Sequence, residues 1–453
     1  MLSWRTEKNH WLKMRKFKIT AVFLIVILLT GCAFGTSIDT LMSPPKLSME
    51  QEQIYNALTD AVGDSISLKY PKSGKYLSAF IVEDIDGDSG NEAVVFYEKT
   101  GLAVEENTLR INILDSDNGK WRSVYDTPAD GSEIERVMIS KLGENQRMNL
   151  IIGSSLINRS EKVVTIYSYS SGQLEPTFSK SYSFIDITDL DRDNENEFLL
   201  LKGSSNNDLA AAEAYKLDSM GKYHKSRIEL SGSFSEFDSV AYGRLNNGNK
   251  GLYIDAVSGA GFIQTDIIYM DEKGLHKVFS NQEESDKTLR PSGCSSYDID
   301  GDGQLEIPVQ TISLGYENAS EGERINLTNW LYINENNEPE LKYTSYYSIG
   351  NGYIFIFPEK WRNKVTIKRD AINDEIVFCE YNKDSEDEEI GRELLRIYCA
   401  EDEASREDRL YTGYMLLRTK GDSSYLAYIP PSAVDNDLSV NQTDVAIGFV
   451  YKN

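Results

Sequence analysis

The sequence predicts a mainly β protein: a β-propeller of about five recognisable four-stranded blades, followed by a small C-terminal α+β domain. Three observations predict it. A nine-residue acidic loop occurs three times, at residues 84–92, 189–197 and 298–306. Two degenerate copies follow the same register at Lys141 and Arg244, so the first positions 84, 141, 189, 244 and 298 are 57, 48, 55 and 54 residues apart. That spacing is the length of one four-stranded unit. Finally, the repeat stops near residue 349, and a differently patterned segment follows.

Each unit has one layout. An apolar strand leads into the loop at 77–82, 135–139, 184–187 and 240–242. A second strand leaves the loop, as in Ala93-Val94-Val95-Phe96, Phe198-Leu199-Leu200-Leu201 and Ile307-Pro308-Val309. A third alternates apolar and polar residues at 109–114, 162–169, 211–217, 265–270 and 329–333. Polar turns such as Asp117-Asn118-Gly119-Lys120 and Ser170-Ser171-Gly172 follow. A last strand closes the unit, for example 121–125 or 341–347. Such units cannot each bury both faces alone, and ring stacking of blades solves that.

The segments before the repeats carry separate signals. Residues 1–31 read as a signal peptide: six basic residues, then nine consecutive apolar residues from Ala21 to Leu29, too few to span a bilayer. Leu29-Thr30-Gly31-Cys32 resembles a bacterial lipobox. The resemblance implies cleavage before Cys32, lipidation of its thiol with diacylglycerol and palmitate, and a lipoprotein on the extracytoplasmic face of the cell membrane. Residues 32–47, with Pro44-Pro45, read as a tether. Residues 48–63 read as one amphipathic helix, with Ser48 and Gln51 as a capping box and Ile54, Leu58 and Val62 on one face. The repeats then occupy 64–349 and the last domain 350–453.

Charge narrows the partners. The chain has 47 Lys+Arg and 72 Asp+Glu. Without the leader's six bases and one acid, 41 face 71, a net of −30. Such a body repels nucleic acid and anionic lipid and attracts divalent cations. Beyond Cys32, the cysteines Cys294, Cys379 and Cys399 have no metal-site spacing; Cys379 and Cys399 either pair or stay as buried thiols.

The loops carry the chemistry. Carboxylates stand at positions one, three, five and nine, and an apolar residue at two. Calcium takes six to eight oxygens at about 2.3–2.6 Å, and three Asp at alternate positions of a tight turn can point inward together. Gly87, Gly301 and Gly303 permit that turn, and a carbonyl at position seven would add a ligand. An EF-hand is excluded, because the closing Glu falls at nine and strands flank the loop.

With these features the units resemble FG-GAP/VCBS repeats, the calcium-bearing blades of integrin-type propellers, over about residues 76–348. The resemblance implies calcium held by Asp84, Asp86, Asp88 and Glu92, by Asp189, Asp191, Asp193 and Glu197, and by Asp298, Asp300, Asp302 and Glu306. In the middle copy Arg192 and Asn194 replace both glycines. The copies at Leu142 and Leu245 lack the carboxylates and should be metal-free turns. The family usually closes with seven blades; five are recognisable here. The opening of the last domain, residues 353–361, resembles PsbP-like domains of bacterial lipoproteins, and no site residue follows from that.

No catalytic motif emerges. His224 and His276 lie beside lysines in polar turns, and neither a nucleophile elbow, an HExxH motif nor a phosphate loop occurs. The reading is therefore a non-catalytic, calcium-stabilised binding or scaffold module for a protein or cell-wall glycan. The alternative is a glycan- or phosphoester-acting hydrolase using surface carboxylates.

Overall fold

The computed structural model describes residues 47–88, 90–100, 109–156, 161–205, 208–382, 390–434 and 437–451. The leader, Cys32, nearly all of the tether and the acidic run at 384–389 lie outside the described residues. The chain divides into two compact units, Met1–Ala57 and Leu58–Asn453. The division falls within helix α1 (Met49–Val62), and every sheet belongs to the second unit. The expected capping box opens α1: Gln51 N donates to Ser48 Oγ at 3.1 Å and Ser48 N to Gln51 Oε1 at 3.0 Å. Ile54 and Leu58 are fully buried. No helix of the described residues is long and apolar enough to cross a membrane.

Five antiparallel sheets follow in chain order. Sheet one is β1 (Ile66–Leu68), β2 (Phe80–Glu83), β3 (Glu92–Lys99), β4 (Leu109–Asp117) and β5 (Lys120–Pro128), with β1 and β2 pairing opposite ends of β3. Sheet two is β6 (Glu133–Leu142), β7 (Asn145–Ser155), β8 (Lys162–Ser170) and β9 (Gln173–Tyr182). Sheet three is β10 (Phe184–Thr188), β11 (Glu197–Lys202), β12 (Ala211–Leu217) and β13 (Tyr223–Glu229). Sheet four is β14 (Phe237–Arg244), β15 (Lys250–Val257), β16 (Phe262–Asp271) and β17 (Gly274–Lys277), with the short β18 (Arg290–Pro291) also on β16. Sheet five begins with β19 (Ile307–Ile312), β20 (Asn326–Ile333), β21 (Pro339–Ser348) and β22 (Tyr353–Ile356).

Strand alternation explains how these sheets stack. Along β7, Leu150 and Ile152 join a core with Val94, Phe96 and Ile111 of sheet one. Ile151, between them, joins Phe198, Leu200 and Tyr215 of sheet three. The same division repeats from sheet three to four, where Leu199 and Leu201 meet Leu252 and Ile254, and from four to five, where Tyr253 and Ile267 meet Ile307. Both faces of the middle strands are covered, so their sequences read as unbroken apolar runs. The mainly β character and the four-stranded antiparallel sheets match expectation. Among the described residues, no strand pairing or core cluster joins the first sheet to the last.

Two features depart from the sequence reading. The strand opening at Tyr353, expected to begin a new unit, instead pairs with β21 (Ser348↔Tyr353) and completes sheet five. An aromatic run after Gly350-Asn351-Gly352 looks like a fresh start, but those residues make an ordinary hairpin connection. Before sheet five, the strand leading into the third loop shrinks to a single bridge, Tyr297↔Glu306. In its place, helix α2 (Gln282–Asp286) and β18 lie against sheet four. A fully buried ion pair, Arg290 Nη2 to Asp255 Oδ1 at 2.7 Å, ties this segment down. Thr265 and Ser296 complete its hydrogen bonds.

Sheet six contains β23 (Val365–Asp370), β24 (Glu375–Tyr381), β25 (Ile390–Ala400), β26 (Met415–Lys420) and β27 (Ser423–Tyr428), in the order β23-β24-β25-β27-β26. Helices α3 (Glu403–Tyr411) and α4 (Gln442–Gly448) accompany it, so this part is α+β. Phe355, Phe357, Trp361 and Phe378 anchor its core against sheet five. Strand β28 (Phe449–Tyr451) then returns to pair with β22. Among the described residues Cys379 and Cys399 are free thiols, the first buried and the second half-buried, and Cys294 is buried.

Candidate metal centres in three acidic loops

The apolar second position is the anchor of the loop. Ile85, Leu190 and Ile299 are buried, and so are Leu142 and Leu245 in the degenerate copies. The backbone N–H of this residue donates to the Glu at position nine in all three acidic copies: Ile85 to Glu92 at 2.9 Å, Leu190 to Glu197 at 2.6 Å, Ile299 to Glu306 at 3.0 Å. The ninth carboxylate therefore closes the turn from inside.

The Asp at position one gathers the backbone. Asp298 accepts from the N–H groups of Gly301, Asp302 and Gly303, and Asp84 accepts from Gly87 at 2.6 Å. Left-handed backbone makes this possible. Gly301 and Gly303 have φ of 77° and 87°, and Arg192 and Asn194 in the middle copy reach 65° and 70° despite their side chains. Consecutive turns also touch. Gly143 N donates to Asn196 O, Arg192 Nη1 to Gly248 O, and Arg244 N to Gly303 O. The four turns from Leu142 to the third acidic loop thus run beside one another along the stacked sheets.

Carboxylate oxygens converge in each acidic copy: Asp84, Asp86 and Glu92; Asp189, Asp191 and Glu197; Asp298, Asp300 and Asp302, each group within 4.8 Å. These triads could hold a metal ion. Asp88, Asp193 and Glu306, also expected as ligands, fall outside the triads. Asp88 Oδ1 accepts from Gly90 N, and Asp193 Oδ1 from Glu195 N.

Two lysines that the motif does not contain occupy the second and third loops. Lys216 Nζ lies 2.8 Å from Asp191 and 3.1 Å from Glu197, and also bonds Asp193. Lys342 Nζ lies 2.7 Å from Asp300, 2.8 Å from Asp302 and 2.7 Å from Glu306. Tyr343 Oη adds a bond to Asp300 at 2.8 Å. In the second loop, Asp189 Oδ1 is buried with no hydrogen-bond partner.

Strand register shows how each lysine arrives. Lys216 sits one step beyond the Phe198↔Tyr215 pair, opposite Glu197. The same step in sheet one pairs Glu92 with Asp115. Lys342 is the extra residue of the β21 bulge between Tyr343 and Leu341; the matching bulge in β5 holds Val124. The first loop thus has an acid and an aliphatic side chain where its relatives have ammonium groups. Asp115 was absent from the sequence reading, as were both lysines. Their signal lies one or two strands away from the motif, at positions that only register connects to it.

Electrostatics follow this difference. Burial, with the charges of Asp86, Asp88 and Asp84, pushes the Glu92 carboxyl up to about 7. Burial also raises Asp86, whose neighbours include Asp88, Asp84 and Asp115. Burial raises Glu197 to about 7 and raises Glu306, with Lys216 and Lys342 opposing it. Lys342 is itself desolvated, yet its bonds to Asp300, Asp302 and Glu306 outweigh that and hold its pKa above the ordinary value.

Two clefts lie on the surface of the described residues. One of about 460 Å³ beside the third loop is lined by Ile299, Asp300, Tyr343, Phe357 and Ile447. Another, of about 540 Å³, is lined by Lys162, Ser181, Lys202, Ser204 and Phe237. Glu92, Glu197 and Glu306 line neither. His224 is exposed and bonds Asp218; His276 bonds Asp271 and stacks on Tyr269.

No protein-family model matches the chain. No curated protein matches it either. Solved structures of several kinds are similar at low TM-score. A protein from Lactobacillus plantarum is 10% identical, with 72% of this chain and 94% of that chain covered and a TM-score of 0.28. A hypothetical selenium-binding protein from Sulfolobus tokodaii is 12% identical over 48% of this chain, at a TM-score of 0.28; the match spans only 56% of that protein's length. An exo-beta-1,3-galactanase from Phanerochaete chrysosporium is 12% identical, with 81% of this chain and 89% of that chain covered and a TM-score of 0.25. At such scores these likenesses carry no argument about fold or activity.

Proposed function

We propose that the chain is a non-catalytic binding or scaffold module, anchored by lipid on Cys32 to the extracytoplasmic face of the cell membrane, and that calcium stabilises its repeats. The five stacked sheets act as blades of a propeller-type array of the FG-GAP/VCBS kind. Its ligand is a protein or a cell-wall glycan met by the loops and clefts.

One observation carries the calcium part. In the first loop Asp84, Asp86 and Glu92 converge, Asp115 stands across the strand pair, and every donor is a hard oxygen. Like charges this close repel unless a cation joins them. The test is thermal melting of the mature protein in chelator and in calcium, with Asp86→Asn as the control. Calcium should raise the melting temperature of the wild type by several degrees and leave Asp86→Asn nearly unmoved. An unchanged melting temperature in the wild type would remove the calcium reading.

A further inference from the structure

The third loop matches the calcium motif best, yet its interior already contains a cation. Lys342 Nζ touches three of the four expected ligands, Asp300, Asp302 and Glu306, at 2.7–2.8 Å. The fourth, Asp298, is engaged by the backbone N–H groups of Gly301, Asp302 and Gly303. Tyr343 Oη donates to Asp300 as well. The lysine reaches the loop because the β21 bulge turns it there, and its side chain is four-fifths buried. A divalent ion would have to share this space with an ammonium group, against direct charge repulsion. In the first loop the same bulge position holds Val124, which brings no charge.

We infer that Lys342 is a built-in counter-ion that does the work of a divalent cation in the third loop, so that this loop is locked without metal although its motif is complete. The inference rests on the calcium reading of the loops and departs from it at this copy. A protonated amine offers one charge and three donors, which match three carboxylates at hydrogen-bond distance. It stays in place under chelation, where a bound ion would leave. The stacked sheets then carry two kinds of joint: one that responds to calcium and one that does not.

Lys342→Gln and Lys342→Arg test this, with bound calcium counted per chain by equilibrium dialysis and stability measured by urea denaturation in chelator. Lys342→Gln should bind one more calcium than the wild type. Its urea midpoint should fall in chelator and recover in millimolar calcium. Lys342→Arg, which keeps the charge, should gain no calcium. If Lys342→Gln does not fold in chelator, recovery of the folded protein by calcium supports the inference, and failure to recover overturns it. Equal calcium counts in the wild type and Lys342→Gln also overturn it. A wild type that binds none beside a Lys342→Gln that binds one defeats the calcium reading of the first loop and leaves this inference standing. A wild type that binds calcium with no gain in the variant does the reverse.

Discussion

Replacing Glu92 by glutamine should remove a pH dependence from the metal-free protein. The folded state holds the Glu92 proton up to about 7, against an ordinary value of 4.5. The unfolded chain releases that proton near its ordinary value, so folding is favoured by the bound proton at low pH. The contribution is fully present below the unfolded pKa and is lost as pH rises through 7. A tenfold change in proton affinity is worth about 1.4 kcal/mol. The aspartates beside Glu92 reach solvent, and screening there trims the full figure. Between about pH 5 and about pH 8 the wild type should therefore lose roughly 1.5–2.5 kcal/mol at this site alone. In the Glu92→Gln variant the side chain has no proton to lose, and its amide oxygen can still accept from Ile85 N. Urea denaturation in chelator at both pH values, wild type against Glu92→Gln, isolates the site because Glu197 and Glu306 titrate in both proteins. Saturating calcium should abolish the difference, since the ion favours the carboxylate. A Glu92→Gln variant that loses as much stability as the wild type over this range would refute the reasoning.

Other outcomes follow from burial. Arg290→Leu removes the buried cation that faces Asp255 and should cost about 3–5 kcal/mol in urea denaturation, and Asp255→Asn in the same chain should recover part of that loss. Leu142→Ala, in a turn without metal ligands, should cost about 2–5 kcal/mol, and equally with and without calcium, because its role is to anchor the turn in the core. A smaller loss for Leu142→Ala in calcium would mean that the degenerate copy binds metal after all.

The repeat was legible because its anchor is apolar rather than acidic. Ile85, Leu142, Leu190, Leu245 and Ile299 keep one register through good and poor copies, and all are buried. Hairpins were legible for the same local reason: Asn118-Gly119 and Ser171-Gly172 supply left-handed residues that only tight turns need. The β12 strand fell on the expected residues 211–217. Three features were out of reach. Lys216 and Lys342 meet their carboxylates across strands, at distances along the chain of about twenty to forty residues, and periodicity carries no such information. Arg290, the partner of Asp255, sits in a segment without repeat or amphipathic pattern. The end of sheet five was hidden because β22 draws its partners from both sides, and a hairpin strand reads the same as the first strand of a new domain.

The pairing of β22 with β28 has a kinetic consequence. Tyr353 meets Tyr451, Ile354 meets Val450 and Phe355 meets Phe449. All of sheet six lies between these partners along the chain, so in topology it is a long insertion into the edge of sheet five. During synthesis, sheets one to four can assemble from near neighbours as they emerge. The outer edge of sheet five must wait for residues 449–451. Until then β22 presents unpaired backbone and the aromatic side chains of Tyr353 and Phe355. Closing so long a loop is slow, and an exposed edge of this kind invites association with other chains. The three-residue strand β28 is thus the last latch of the array, and the interval before it engages is when the nascent protein is most vulnerable to mispairing.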